Sequence, residues 1–265
     1  MKLEDFLTGS SGQLISRIEE ANLNAWPAIQ QVLLDGWLLR FSGSYSKRGN
    51  AIVPVYPGTQ PVLQKIRYCE NAYRREDLPT LFRMSSAPGL RTLDRTLAEL
   101  GYEQTDASLV LTYRNGELPT TSSRQFRRLT LDTWINVYCK LSGMPETATR
   151  LQKLLLKSIP CEAIYGVIVD KTQYVACGLA VVDDKVTGLF DILTDPIYRR
   201  RGHAQELILN LLRCGSEHGA ETGYLQVAED NEPARALYEH LGFQSLYRAW
   251  YRIRDPSERR QPDSP

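Results

Sequence analysis

One stretch limits the folds open to this chain more than any other: Asp195-Pro-Ile-Tyr-Arg-Arg-Arg-Gly-His-Ala-Gln205. It follows the apolar run Val186 to Thr194, which predicts a strand. It precedes Ala204 to Arg213, whose apolar residues recur at helical spacing. A strand that turns through Gly202 into a helix leaves several backbone N–H groups without a partner inside that helix. Those donors, with the positive end of the helix dipole, form a seat for a phosphate or pyrophosphate. A side chain at Gly202 would block close approach of an anion to the main chain. Three arginines at a helix N-terminus oppose the dipole, a cost that an arriving anion removes. A solvated basic turn has the same local pattern, so the residues downstream decide between the two.

Tyr224 to Phe243 is the deciding stretch. A strand over Tyr224 to Ala228 meets Asn231, a good N-cap, with Pro233 in the first helical turn. The short helix ends at Gly242, a candidate left-handed cap, and a new strand begins at Phe243. Arg199-x-x-Gly202-x-Ala204 followed by Asn231-x-x-Ala234-x-x-Leu237-Tyr238-x-x-x-Gly242-Phe243 resembles the GNAT family of N-acetyltransferases. The first motif resembles that family's pyrophosphate loop. The second resembles its Asn-to-Gly-Phe segment, whose Tyr commonly serves as general acid. The resemblance covers Phe126 to Ile253, and the order and separation of the two motifs make it specific.

Composition fits a folded protein of ordinary character and narrows its partners. A net charge of +1 argues against a dedicated nucleic-acid binder. No apolar run is long enough to span a bilayer and no signal-peptide core is present, so the expected location is cytoplasmic. Cys69, Cys139, Cys161, Cys177 and Cys214 are scattered without a C-x-x-C pair, which reads as reduced thiols and no metal site. None of His203, His218 and His240 has metal-ligand spacing; His218, before Gly219, fits a helix C-terminus.

In chain order, Gln13 to Leu23 predicts an amphipathic helix, and Ile29 to Leu34 a short turn or helix. Gly36 to Phe41 reads as a strand, the cationic Ser42 to Gly49 as a loop, and Asn50 to Tyr56 as a returning strand. A helix from Pro61 to Arg75, a strand over Pro79 to Met84, a helix over Leu90 to Leu100 and a strand from Gly101-Tyr102 to Tyr113 follow. After the polar, turn-rich Asn115 to Arg124 come helices over Leu131 to Leu141 and Thr147 to Ile159. Strands over Ala163 to Val169, Tyr174 to Val182 and Val186 to Leu193 come next, turning at Asp170-Lys171 and Asp183-Asp184.

The order strand, helix, strand, helix, Gly-aromatic, strand describes residues 50–113 and again 186–253. The expected fold class is therefore α/β (α+β) with two GNAT-like units, each a mixed, mostly antiparallel sheet flanked by helices. The expected divisions are a degenerate first domain over 1–116, a linker over 117–124, a catalytic domain over 125–254 and a disordered tail over 255–265. Where the second copy has its arginine-glycine loop, the first has Pro57-Gly-Thr-Gln-Pro61, and proline lacks the donor a phosphate needs. The first domain is not expected to bind CoA.

What the resemblance implies is an N-acetyltransferase that takes acetyl-CoA as acyl donor, needs no metal, and acetylates a primary amine on a small molecule or peptide. Neither nucleic acid nor membrane is an expected partner, and the acceptor is expected between the two domains. The donor contacts carried over are Ile192, Leu193 and Thr194 on the strand, and Arg199, Arg200, Arg201, Gly202, His203, Ala204 and Gln205 at the turn. Asn231 and Tyr238 complete them. Tyr238 is the candidate acid, a phenol near pKa ~10 that can assist the departure of a thiolate near ~8.5. The base is open: many members carry a Glu where this chain has Gln226, and an amide cannot accept the proton. Asp191 and Glu229 are the nearest carboxylates, acting directly or through water. Gln226 also supports a second reading, a catalytically impaired acyl-CoA sensor or interaction module. A nucleotide-binding protein is disfavoured, because neither a Walker lysine nor a G-x-G-x-x-G loop is present.

Overall fold

The computed structural model describes residues 10–43, 46–114, 116, 118 and 125–255. The expected linker, apart from Leu118, and the expected tail beyond Asp255 lie outside the described residues, as does Tyr45 of the cationic loop. Contacts divide the described chain into two compact units, one of residues 28–108 and 247–255, the other of residues 10–27 and 109–246.

These divisions differ from the two continuous domains expected from sequence. Helix α1 (Ser10–Ala25) belongs with the second unit. Its Arg17 donates to the Asp183 carbonyl at 2.7 Å and carboxylate at 2.5 Å, and Asn24 donates to the same carboxylate at 2.8 Å. Just beyond the helix, the Trp26 ring sits 6.2 Å from that of Phe190. At the other end, residues 249–254 of the final strand pair with residues 80–85 of the first unit.

The first unit contains β1 (Gln30–Leu34), β2 (Trp37–Phe41), β3 (Ile52–Pro54), α2 (Val62–Arg75), β4 (Thr80–Ser85) and α3 (Arg91–Glu99). Beyond α3, β5 (Glu103–Arg114) starts here, and β11 (Gln244–Arg254) ends here. Its strands run in the order β1-β2-β3-β4-β11. All these pairings are antiparallel except β3–β4, which pair in parallel through Ile52 and Phe82.

Residues 30–34 form a strand rather than the expected turn or helix. The reason is Asp35-Gly36, whose φ values of 41° and 85° make the two-residue turn that closes a hairpin at the Leu34–Trp37 pair. One apolar core, including Trp37, Leu39, Ile66, Tyr73, Phe82 and Leu97, joins the sheet to α2 and α3.

Asp94 on α3 fastens β11 to this unit. Its carboxylate accepts from Trp250 Nε1 and Arg252 Nε at 2.8 Å each and from Arg252 Nη2 at 2.9 Å. The Arg252 guanidinium, followed by Trp250, holds this carboxyl below the ordinary carboxylate range. A lowered folded pKa gives stability that is present above the unfolded value and lost as pH falls through the folded one. Asp94→Ala is therefore expected to cost about 1–3 kcal/mol at neutral pH, and the difference from wild type should shrink below pH ~4. Chemical denaturation at pH 7 and pH 3 checks both parts.

The second unit contains the end of β5, then β6 (Phe126–Leu129), α4 (Leu131–Ser142), α5 (Glu146–Lys157), β7 (Glu162–Asp170), β8 (Gln173–Asp183) and β9 (Val186–Thr194). After them come α6 (His203–Glu217), β10 (Thr222–Ala228) and α7 (Glu232–His240). Strand β6, not anticipated in the sequence, pairs antiparallel with β7 as an edge. Strands β7, β8 and β9 continue antiparallel, whereas β9 and β10 are parallel.

Helix α6 covers one face of this sheet so closely that a Cβ on its Gly215 would strike Thr187 of β9. The neighbouring Gly188 faces Phe190 and Tyr224 instead, so Phe190 and the Trp26 ring beside it lie on the opposite face. The fold is thus mixed α/β, with a mostly antiparallel sheet flanked by helices. Among the described residues no helix is long and apolar enough to cross a membrane.

Candidate active site

Two parallel strands that separate create the opening. The β9–β10 ladder runs only from Val186–Thr222 to Leu189–Leu225, yet β9 continues to Thr194 and β10 to Ala228. A bulge explains the parting. Between the pairs Cys177–Leu193 and Leu179–Phe190, β8 contributes Gly178 alone and β9 contributes both Asp191 and Ile192. Asp191 sits at φ 51°, a left-handed conformation that a non-glycine residue adopts only when its surroundings hold it. Beyond the bulge, backbone groups of Ile192, Leu193 and Thr194 are released from the β10 side at the C-terminal end of a parallel pair, where α/β sheets form ligand crevices.

The chain then passes through the turn singled out by its arginines. Asp195 caps a single 3-10 turn over Pro196–Tyr198 by accepting from Ile197 N at 2.9 Å. Arg199 is extended, Arg200 is left-handed at φ 63°, and Gly202 is left-handed at φ 84°. Of the two left-handed residues only Arg200 carries backbone strain, since glycine takes a positive φ without steric cost.

The first helical N–H to find a carbonyl is that of Glu206, bonded to Gly202 O at 3.0 Å. The N–H groups of His203, Ala204 and Gln205 therefore have no backbone acceptor among the described residues, as expected of a first turn. A Cβ added at Gly202 would meet nothing within 4 Å, so the approach to these donors is open. Arg199, Arg200 and Arg201 are exposed around it, with the Arg201 guanidinium 5.2 Å from the Tyr198 ring centre. His203 is not a loop residue but is buried, with its ring 6.2 Å from Tyr198.

Helix α7 begins as its sequence predicts: the Asn231 side chain accepts from Ala234 N at 3.3 Å, and Pro233 stands in the first turn. It ends at Gly242, left-handed at φ 93°. Tyr238 is buried, its ring edge-on to Phe243 at 5.6 Å, and burial pushes its phenol up to about 12. Such a phenol keeps its proton throughout the neutral range. Ile192 and Tyr198 pack against the same apolar cluster that contains Tyr238, Leu207 and Leu211, so the end of β9, the turn, α6 and α7 are brought together.

Asp191 has partners that sequence reasoning missed. Gln152 of α5 donates to its Oδ2 at 2.9 Å, and the Tyr138 hydroxyl of α4 lies 3.5 Å from its Oδ1. Tyr138 is itself fixed by stacking on Trp134 at 5.1 Å. Gln152 is fully buried, a polar residue beside the buried Leu155 and Leu156 on the inner face of α5. That departure from an otherwise apolar stripe was the one available signal. Glu229 and Gln226 are half-buried at and beyond the end of β10.

A family model described as "Probable histone acetyltransferase Rv0428c C-terminal" matches residues 13–252. The chain belongs to this family of GNAT acetyltransferases. The acetyltransferase is 28% identical over 247 residues to YobR of Bacillus subtilis, an uncharacterized N-acetyltransferase, covering 91% of this chain and 98% of that one. It is 39% identical over 80 residues to the ribosomal protein bS18 alanine N-acetyltransferase of Escherichia coli strain K12, which is 29% of this chain and 53% of that relative. In fold it resembles the GCN5-related N-acetyltransferase from Kribbella flavida, with a TM-score of 0.68 at 18% identity, covering 94% of this chain and 97% of that one.

Proposed function

We propose that the second unit transfers an acetyl group from acetyl-CoA to a primary amine. The observation that carries this reading is the parting of β9 and β10 beside the three unpartnered N–H groups of His203, Ala204 and Gln205. Those donors, the dipole of α6 and the surrounding arginines suit the CoA pyrophosphate, and the open surface at Gly202 suits its approach. Backbone of Ile192, Leu193 and Thr194 released from β10 is suited to hold the pantetheine arm and polarise the thioester carbonyl, with the Thr194 carbonyl accepting from Arg199 Nε at 3.4 Å.

In the reaction the amine nitrogen attacks the thioester carbon, a C–N bond forms and the C–S bond breaks. Tyr238 supplies the proton that converts the departing thiolate to a thiol. Asp191 takes the proton lost by the amine, held for that purpose by Gln152; Gln226 cannot do so. Glu229, half-buried beyond the end of β10, is the alternative acceptor through water. The first unit repeats the same element order around its own parallel pair, β3 and β4, and we read it as a second copy of the fold without a donor seat.

The test is labelled acetyl-CoA with a panel of amines, from amino acids and peptide N-termini to polyamines. Label should appear in one class, with CoA thiol released in equal amount; CoA binding without transfer to any amine would remove the catalytic reading. With the best acceptor, Asp191→Asn should lower kcat/KM at least a hundredfold at neutral pH. Asparagine tolerates the left-handed backbone, so CoA affinity should hold. An equal loss in Glu229→Gln, with Asp191→Asn active, would move the proton acceptor to Glu229.

A further inference from the structure

We propose that Asp35 stands in for a phosphate in the first unit. Its carboxylate fills, from within the chain, the anion seat at the turn between β3 and α2, so the protein takes up one CoA, not two. The second clause rests on the proposed donor seat at Gly202; the first does not.

The two turns are equivalent in topology. In the second unit β9 leads through residues 195–202 into α6, and the next strand, β10, lies parallel to β9. In the first unit β3 leads through Pro57-Gly-Thr-Gln-Pro61 into α2, and the next strand, β4, lies parallel to β3. Here donors of the turn just before the helix converge on Asp35. Thr59 N–H and hydroxyl reach its Oδ1 at 2.9 and 3.1 Å, and Gln60 N–H reaches its Oδ2 at 2.9 Å. Pro61 caps the helix and has no N–H to add.

A cation completes the set. Lys65, one turn into α2, places Nζ 3.3 Å from Asp35 Oδ2, with its side chain 2% exposed and its ammonium 4.1 Å from the Trp37 ring centre. Two consecutive backbone N–H groups, a hydroxyl and a buried ammonium are the donor set that a phosphate would need. The Thr59 and Gln60 bonds hold the carboxyl far below its ordinary range, so the occupant is an anion.

The two glycines mark the contrast. A Cβ on Gly202 would meet nothing within 4 Å, whereas a Cβ on Gly58 would strike the Asp35 carboxylate and carbonyl. Gly58 is thus needed where the anion presses against the main chain. Asp35 is aimed there by its place in the hairpin turn, left-handed at φ 41°.

Hydrogen exchange on the full chain, with inorganic pyrophosphate as probe, tests the idea. Asp35→Gly removes the carboxylate and suits the left-handed backbone. In wild type, peptides spanning 56–66 should exchange slowly and ignore pyrophosphate. In Asp35→Gly they should exchange at least tenfold faster, and millimolar pyrophosphate should slow them again.

Unchanged exchange in the variant would overturn the proposal. So would faster exchange that pyrophosphate does not reverse, which would make Asp35 only a local cap. Peptides spanning 199–206 report separately on the proposed donor seat: protection there in both proteins supports it, and its absence refutes that seat without touching Asp35. If Asp35→Gly does not fold, Asp35→Asn keeps one acceptor oxygen and should show the same reversal in smaller degree. Calorimetric titration of wild type should give one CoA per chain, and two would also overturn the proposal.

Discussion

Gly202→Val is expected to weaken CoA binding by about a hundredfold, or ~2.8 kcal/mol at 1.4 kcal/mol per tenfold. Two costs combine. Gly202 is left-handed at φ 84°, a conformation that a β-branched residue adopts only under strain of about 1–3 kcal/mol. Either valine stays there with its methyl groups in the space before the His203, Ala204 and Gln205 donors, or the turn relaxes and those donors lose their aim. Gly202→Asn separates the two: asparagine accepts the left-handed backbone but adds bulk, so it should still lose affinity, by a smaller factor. Titration calorimetry on protein whose thermal unfolding matches wild type reads the result. Unchanged affinity in both variants would mean that the diphosphate sits elsewhere, and the assignment of α6 as its seat would fall.

Tyr238→Phe is expected to lower kcat by about a hundredfold to ten-thousandfold with CoA affinity unchanged. The substitution removes one oxygen from a side chain otherwise occupied in packing on Phe243 within the α6–α7 core, so the fold should survive it. Because burial pushes this phenol up to about 12, wild type should keep its acid well into the alkaline range. Release of CoA thiol followed against pH, together with the calorimetric affinity, gives both quantities. Full turnover in the Tyr238→Phe variant would leave the thiolate to be protonated by solvent. A sensor that never turns over would likewise be indifferent to the change, but would fail the amine panel as well.

The Gln152–Asp191 contact shows why one carboxylate cannot be judged from its neighbours in sequence. Asp191 stands in an apolar strand, where alternation alone would put it with Thr187 and Leu189 on the face that α6 covers. The bulge turns it instead toward α4 and α5, and a buried amide fixes one of its oxygens. Gln226 cannot accept the proton, and in the proposed reaction Asp191 of β9 takes that part.

Local chemistry made much of the site legible in the sequence. Gly202 stands immediately before α6, Asn231 caps α7 with its own side chain, and Gly242 ends that helix in the left-handed region. Each depends on residues within four positions of one another, so spacing is enough to find it. The bulge at Asp191–Ile192 and the register at which β9 pairs with β10 were not legible, because they depend on strands far apart in the chain. The same holds for α1, which joins the second unit through a bond from Arg17 to Asp183, and for β11, which Asp94 fastens to the first. Asp35 makes the point most sharply. Asp-Gly announces its hairpin, but only the folded chain brings its carboxylate onto the N–H groups of Thr59 and Gln60. Turns and caps are settled by a few adjacent dihedrals and one side chain, whereas a crevice is settled by which distant backbones fail to pair, and that is decided in three dimensions.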